Sequence, residues 1–212
     1  MNDTVVSKWK FVAGRLCLEF TNTVDARYEE KIKNLISYGI GKDKLSSYND
    51  LVDWAKEVGI LKDSAAKQLI LISSQKAKEA KHIFDRAIAL RESFFRIFKK
   101  IIEGLEPLDS DVELLNRECA EAYSRQKLFY ESDKFLWKFG TTADDLSSVI
   151  WPVSLSGIEL LMSDEISRVH QCPGENCGWL FLDTSKNRSR QWCDMKDCGN
   201  IAKVRRFREK QK

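Results

Sequence analysis

Apolar residues recur along most of this chain at intervals of three and four, the spacing that places side chains on one face of an α-helix. The longest stripe runs Ile83, Ala87, Leu90, Phe94, Ile97, Ile101 and Leu105, and Glu106-Pro107 ends it, since the residue before a proline is pushed out of helical geometry. Phe94, Phe95 and Phe98 are expected in the core. Ser47 reads as an N-cap for a helix carrying Leu51, Trp54, Ala55 and Val58, with Gly59 as its stop. Asp63 opens another helix ahead of the long one. Asp109 or Ser110 begins a helix with Val112, Leu115, Cys119 and Ala122. Thr142 is expected to cap a last one, with Leu146, Val149, Ile150, Val153, Ile158 and Leu161, which Pro152 should kink or split.

Two stretches depart from this period. Lys127–Glu131 and Lys134–Phe139 alternate about Ser132-Asp133, which predicts a two-stranded hairpin. Gly14–Val24 fits both periods and is read as helix. Polar, glycine-containing sequence follows to about Ser46. Its Gly39-Ile-Gly41-Lys42-Asp43 is no phosphate loop: Ile36 stands five before Gly41, and Asp43 replaces the magnesium-binding hydroxyl. The class is α+β. A mostly α-helical N-terminal domain with a small antiparallel β hairpin is expected over residues 1–167, with Met162-Ser163-Asp164 as its boundary.

Composition adds an asymmetry. At 43% hydrophobic, the 212 residues suffice for a real core. The net charge of +3 conceals 11 Lys/Arg against 5 Asp/Glu from Arg168 onward, and 24 against 27 before it. That distribution points to an anionic partner for the tail. No leader peptide is recognised at Met1, and no apolar run reaches the ~18 residues of a membrane span. A cytoplasmic protein without membrane contact is therefore expected, and in that compartment clustered cysteines read as metal ligands. Cys17 and Cys119 lie in apolar periodic stretches and read as core thiols.

The chemistry is concentrated near the C-terminus. Cys172-Pro-Gly-Glu-Asn-Cys177 is followed, after fifteen residues, by Cys193-Asp-Met-Lys-Asp-Cys198. Two close pairs with a short insert present four thiolates to one tetrahedral ion, and four sulfurs leave no position for a reactive water. One structural Zn2+ on Cys172, Cys177, Cys193 and Cys198 is expected, within a treble-clef-like finger over residues 168–212. Four thiolates on a divalent ion lower the tail's charge to about +4. Gly178–Thr184 should run as a strand into a hairpin leading back through Arg190-Gln-Trp192, with Cys198 in the first turn of a helix. About 45 residues cannot bury a sizeable core alone, which gives the ion a folding role. His170 is expected beside the site or on the surface, not in the ligand set.

In the basic segment after Cys198, Ile201, Val204 and Phe207 should pack on the finger hairpin near Trp179, Phe181 and Trp192. Lys203, Arg206 and Lys210 fall on one exposed side and Arg205, Arg208 and Lys212 on another. Lys186, Arg188 and Arg190 in the preceding turn add to the same charge, and the sequence leaves open which of these cations share a surface. Phosphate contact competes with a merely solvated helix, because cations suit a helix C-terminus. Trp179 and Trp192 read as core, with base stacking as the alternative.

With these residues in view, the chain resembles the CGNR zinc-finger family of bacterial proteins. The resemblance is carried by Cys172-x4-Cys177-Gly-Trp-Leu-Phe-Leu-Asp-Thr-Ser-Lys-Asn-Arg-Ser-Arg190, Trp192-Cys-Asp-Met195 and Cys198-Gly-Asn200. Gly14–Val24 and the helix around Arg91-Glu92 are similar to the ABATE domain that accompanies this finger. The resemblance implies a stress-induced transcription regulator, a zinc-ligating set of the four cysteines, and DNA binding through the finger. Ile201 stands where the family name ends in arginine.

The expected function is thus a transcription regulator that binds DNA through Lys186, Arg188, Arg190, Lys203, Arg205, Arg206, Arg208 and Lys210. The N-terminal domain would sense a small-molecule effector or form a homodimer. The alternatives are an RNA-binding protein, taking single strands by stacking, and a zinc-dependent protein-interaction adaptor. No enzyme is expected: no dinucleotide fingerprint or nucleophile elbow is present, and the two histidines, His82 and His170, are far apart in sequence.

Overall fold

The computed structural model describes residues 7–32, 35–140 and 144–211. Its axis is α4 (Ala77–Ile102), the helix expected from the longest apolar stripe. Ile83, Ala87, Leu90, Phe94, Phe95 and Phe98 on it are buried. Around it pack α1 (Leu16–Thr21), α2 (Tyr48–Glu57), α3 (Asp63–Gln75) and α5 (Asp109–Ser124), while α6 (Trp151–Leu161) packs on α1 and α5. The Ser47 hydroxyl accepts from the Asp50 N–H and starts α2, which ends just before Gly59. Cys17 and Cys119 lie in this interior, where burial pushes their thiols up to about 12 and about 11.

Three details differ from the sequence reading. Helix α4 stops at Ile102, and Leu105 lies beyond it, half exposed, its N–H turned back to the Lys100 carbonyl. Val112 faces largely outward although it shares the stripe of α5. The polar segment to which the sequence reading assigns no element holds β1 (Arg27–Ile32) and β2 (Leu35–Ile40), paired antiparallel with Arg27 opposite Ile40. Its attachment is tertiary: the Arg27 guanidinium lies 4.1 Å over the Phe95 ring, and Tyr38 meets the same ring edge-on.

The expected hairpin is β3 (Gln126–Glu131) and β4 (Lys134–Phe139), turning through Ser132 and Asp133 at φ 51° and 61°. A cap at Thr142 falls outside the described residues. Asp145 instead caps a 3-10 turn over Leu146–Val149 through the Ser147 N–H. Pro152 then sits in the first turn of α6, where no amide donor is needed, so the proline does split the run. Among the described residues no helix is long and apolar enough to cross a membrane.

Beneath the core lies a cluster of buried charges. Arg27, 3% exposed, donates to the Thr21 carbonyl and to both Glu92 oxygens; Arg91, 1% exposed, donates to both Asp43 oxygens and to Glu92. These bonds tie α1, the first hairpin and α4 together. Burial alone would raise the Glu92 carboxyl, but Arg27 and Arg91 hold it below the usual carboxylate range. A depressed carboxylate stabilises above its unfolded pKa of about 4.3 and loses that contribution as pH falls through its native value. The stability difference between wild type and Glu92→Gln, read from urea midpoints, is therefore expected to be full at neutral pH and to shrink on acidification. A pH-independent difference would contradict this.

Candidate metal centre

Two short strands carry the first ligand pair. β5 (Val169–Gln171) and β6 (Leu180–Leu182) are antiparallel, with Val169 opposite Leu182 and Gln171 opposite Leu180. The turn between them holds Cys172 and Cys177. The Cys172 N–H donates to the Trp179 carbonyl at 2.8 Å, and the Cys177 N–H to the Gly174 carbonyl at 3.1 Å. Gly174 is required inside this knuckle: a Cβ there would stand 3.0 Å from the Cys177 Cβ and 3.1 Å from the Cys198 Sγ. The second pair comes from the opposite side. Asp194 accepts from the Lys196 N–H and opens a π-helical turn, Met195–Gly199, which contains Cys198 and runs directly into α7 (Asn200–Glu209).

The four sulfurs lie within 4.8 Å of one another. Zinc–sulfur bonds of ~2.3 Å in a tetrahedron require sulfurs about 3.8 Å apart; Cys177–Cys193 is 3.4 Å and Cys193–Cys198 is 3.7 Å. Charge gives the same reading. The hydrogen bonds from Cys177 and Cys193 hold the Cys172 thiol low, and its sulfur in turn pushes Cys177 up to about 12 and Cys193 higher still. Four sulfurs so close ionise together only around a cation, which is the condition of a metal site. The donor set and its spacing fit one structural zinc ion.

The expected hairpin between the two pairs does not form. β6 pairs instead with β5, upstream of Cys172, and residues 183–192 are an irregular loop. The reason is that the other edge of β6 is already taken. The Leu182 N–H donates to the Ala13 carbonyl, while the Asn22 side chain accepts from the Leu180 N–H and donates to its carbonyl. Glu19 holds that docking loop in place by accepting from the Val12, Ala13 and Gly14 N–H groups.

The finger is thus seated on the body. Val169, Leu180 and Leu182 belong to the main apolar core. The Trp179 indole donates to the Val24 carbonyl and the Arg27 N–H to the Cys177 carbonyl, each at 2.8 Å. Lys99 reaches from α4 to Gln171. The division at residue 167/168 is one of sequence; in space the two parts share a core. The segment adds its seat in the main core to a small cluster of its own around Trp179, Phe181 and the sulfurs, so the ion's role narrows to gathering the loop and α7.

The cations separate into three groups. Arg190 is consumed internally: its guanidinium donates to the carbonyls of Val12, Leu182, Trp192 and Cys193 and covers the Phe181 ring at 4.6 Å. It is a clamp for the loop, where the sequence suggested a phosphate contact. Arg205 is exposed but paired with Glu175 and Glu209 at 2.9 and 3.0 Å. Arg188 and Arg206 line one groove of about 550 Å³ together with His170 and Trp192, and Lys203 and Lys210 lie on the Arg206 side of α7, one turn either way. Lys186 is in the same loop, while Arg208 borders a neighbouring groove beside Glu175. His82 is exposed, and His170 packs on Phe181 outside the sulfur cluster.

The apolar side of α7 is also placed differently from expectation. Ile201, Val204 and Phe207 are 65, 50 and 63% exposed, and no residue of the helix is buried. The finger's aromatic surface is already covered, Trp179 by the body and Phe181 by Arg190, so α7 finds nothing to pack on. Trp179 is buried and Trp192 half-buried, which suits core filling better than stacking. The sequence reading missed the seat made by Glu19, Asn22, Arg27 and Gly178. Only the glycine directly after Cys177 carried a local signal.

Four clustered cysteines on a knuckle and a helix start, set on a helical body, define a structural zinc-finger protein. The chain belongs to the ABATE family, described as "Putative stress-induced transcription regulator", which matches residues 14–164; residues 168–211 match the CGNR zinc finger. No curated protein sequence matches the chain as a relative.

Proposed function

We propose that the protein binds duplex DNA through α7 and the adjoining loop, as a cytoplasmic regulator of transcription that performs no catalysis. One observation carries this reading: α7 follows directly from the metal-bound turn with no residue buried, and its Arg206 shares a groove with Arg188, with Lys203 and Lys210 one turn either way on the helix. A ten-residue helix is marginal in water by itself. The metal-bound turn at its N-terminus supplies a fixed start, and a polyanion along its side would complete it. An α-helix of this width fits a major groove. A small-molecule effector would act on the body, and the family description as a transcription regulator supports the regulatory role.

Phosphate contact makes affinity salt-dependent. Engaging ~4–6 cations is expected to give a slope of roughly −4 to −5 in a plot of log affinity against log salt. Arg206→Ala and Arg188→Ala should each weaken binding severalfold and flatten that slope by nearly one. Arg205→Ala, already neutralised by two carboxylates, should change little. Equal losses from all three, or a flat salt response, would contradict the proposal. RNA binding predicts instead that single strands outcompete duplex; an adaptor role predicts no nucleic-acid retention at all.

A further inference from the structure

The β3–β4 hairpin has one mainly charged and one apolar side, and among the described residues the apolar side is left largely exposed. Lys127, Phe129 and Glu131 alternate with Leu128 and Tyr130 along β3, opposite Lys138, Leu136 and Lys134 on β4. One face therefore holds three lysines and Glu131 around the Phe129–Leu136 pair, with Lys138 paired to Glu131 at 2.7 Å and its ammonium over Phe129. That face is built for water. The other face holds Leu128, Tyr130, Phe135 and Trp137, which are 59, 63, 69 and 58% exposed. The base is anchored, where Phe139 meets Trp151 at 5.5 Å. A sheet with one polar and one apolar side ordinarily buries the apolar one, and a lone two-stranded hairpin is marginal in water.

We propose that this face is a homodimer interface, covered by the same face of a second copy. Shape and charge both suit a two-fold contact. The strands are six residues each, about 20 Å long, so two hairpins laid antiparallel overlap from tip to base. On the apolar side the tip carries Asp133, which accepts from the Tyr130 hydroxyl at 3.3 Å, and the base carries Arg125, whose guanidinium lies over the Trp151 ring. Antiparallel placement sets each net-negative tip against the partner's positive base, whereas parallel placement opposes like charges. Area also fits. With ~150–250 Å² for a buried aromatic, the four side chains expose roughly 400–500 Å² of apolar surface per copy. That supplies half or more of the ~800 Å² per partner of a standard interface. The result is a four-stranded, two-layered contact with the usual ~10 Å between layers. It is independent of what the finger binds.

Sedimentation equilibrium of the full, zinc-loaded chain at micromolar concentration tests this. Wild type is expected to be dimeric. Phe135→Glu and Trp137→Glu should raise the dissociation constant at least a hundredfold and sediment as monomers, with unchanged far-ultraviolet circular dichroism and zinc content. Leu136→Glu, on the charged face, should remain dimeric and controls for damage to the hairpin. A wild type monomeric throughout overturns the proposal, whether or not it then binds lipid vesicles through Trp137. So does a dimer that survives Phe135→Glu, or one that Leu136→Glu dissociates equally.

Discussion

The Cys193→Ser protein is expected to purify with a folded helical body, without stoichiometric zinc, and with residues from about 183 onward open to protease. Loss of one of four sulfurs leaves three ligands and an open position, which weakens a structural site severely. In isolated zinc-finger peptides the metal contributes ~10–16 kcal/mol and its removal unfolds the peptide. Here β5 and β6 are held by the main core, by Ala13 and by Asn22, so the consequence is local. What depends on the ion is the loop and α7, which has no buried residue of its own. Hydrogen exchange should show protection retained through Leu182 and lost across α7, and a chelator should reproduce that pattern in wild type. Global unfolding on chelation would show that the shared core does not hold the strands; unchanged protection of α7 would show that the metal does not direct it.

Gly178→Ala is expected to lower stability by about 2–5 kcal/mol while the four cysteines remain intact. Two costs combine. Gly178 has φ 65°, a left-handed conformation that costs a side-chain-bearing residue ~1–2 kcal/mol. A Cβ there would also lie 2.1 Å from the Arg27 carbonyl oxygen, which is backbone and cannot turn aside. Relieving such an overlap costs a further ~1–3 kcal/mol. The knuckle must lift from β1, breaking the bond from the Arg27 N–H to the Cys177 carbonyl. A urea midpoint shifted without change in slope, with zinc still bound, is the expected outcome. A midpoint equal to wild type would mean that the knuckle does not rest on β1. The contrast between the two variants separates the metal's role from that of the seat.

The helices and the metal ligands were legible because their signals are local. The stripe of α4, the Ser47 cap, the turn at Ser132-Asp133 and the position of Pro152 each follow from neighbours within a few residues. The paired cysteines are likewise a short-range pattern, and the four sulfurs do converge. The first hairpin was not legible, since what holds it is the stacking of Arg27 and Tyr38 on Phe95, remote in sequence. The pairing of β6 was misread for a related reason: its second edge is filled by Ala13 and Asn22, some 160 residues earlier.

The amino-acid sequence by itself determined that this protein is mostly helical, that it holds four cysteines for one ion, and that its net positive charge lies at one end. Only the tertiary structure decided which of those cations are free. Arg190 and Arg205 look like their neighbours in the chain, yet one is spent on four carbonyls and the other on two carboxylates. Periodicity tells which side of a helix is apolar, as it did for Ile201, Val204 and Phe207, but not whether a surface remains to cover it. That depends on what has already packed there, and packing is settled between segments far apart along the chain.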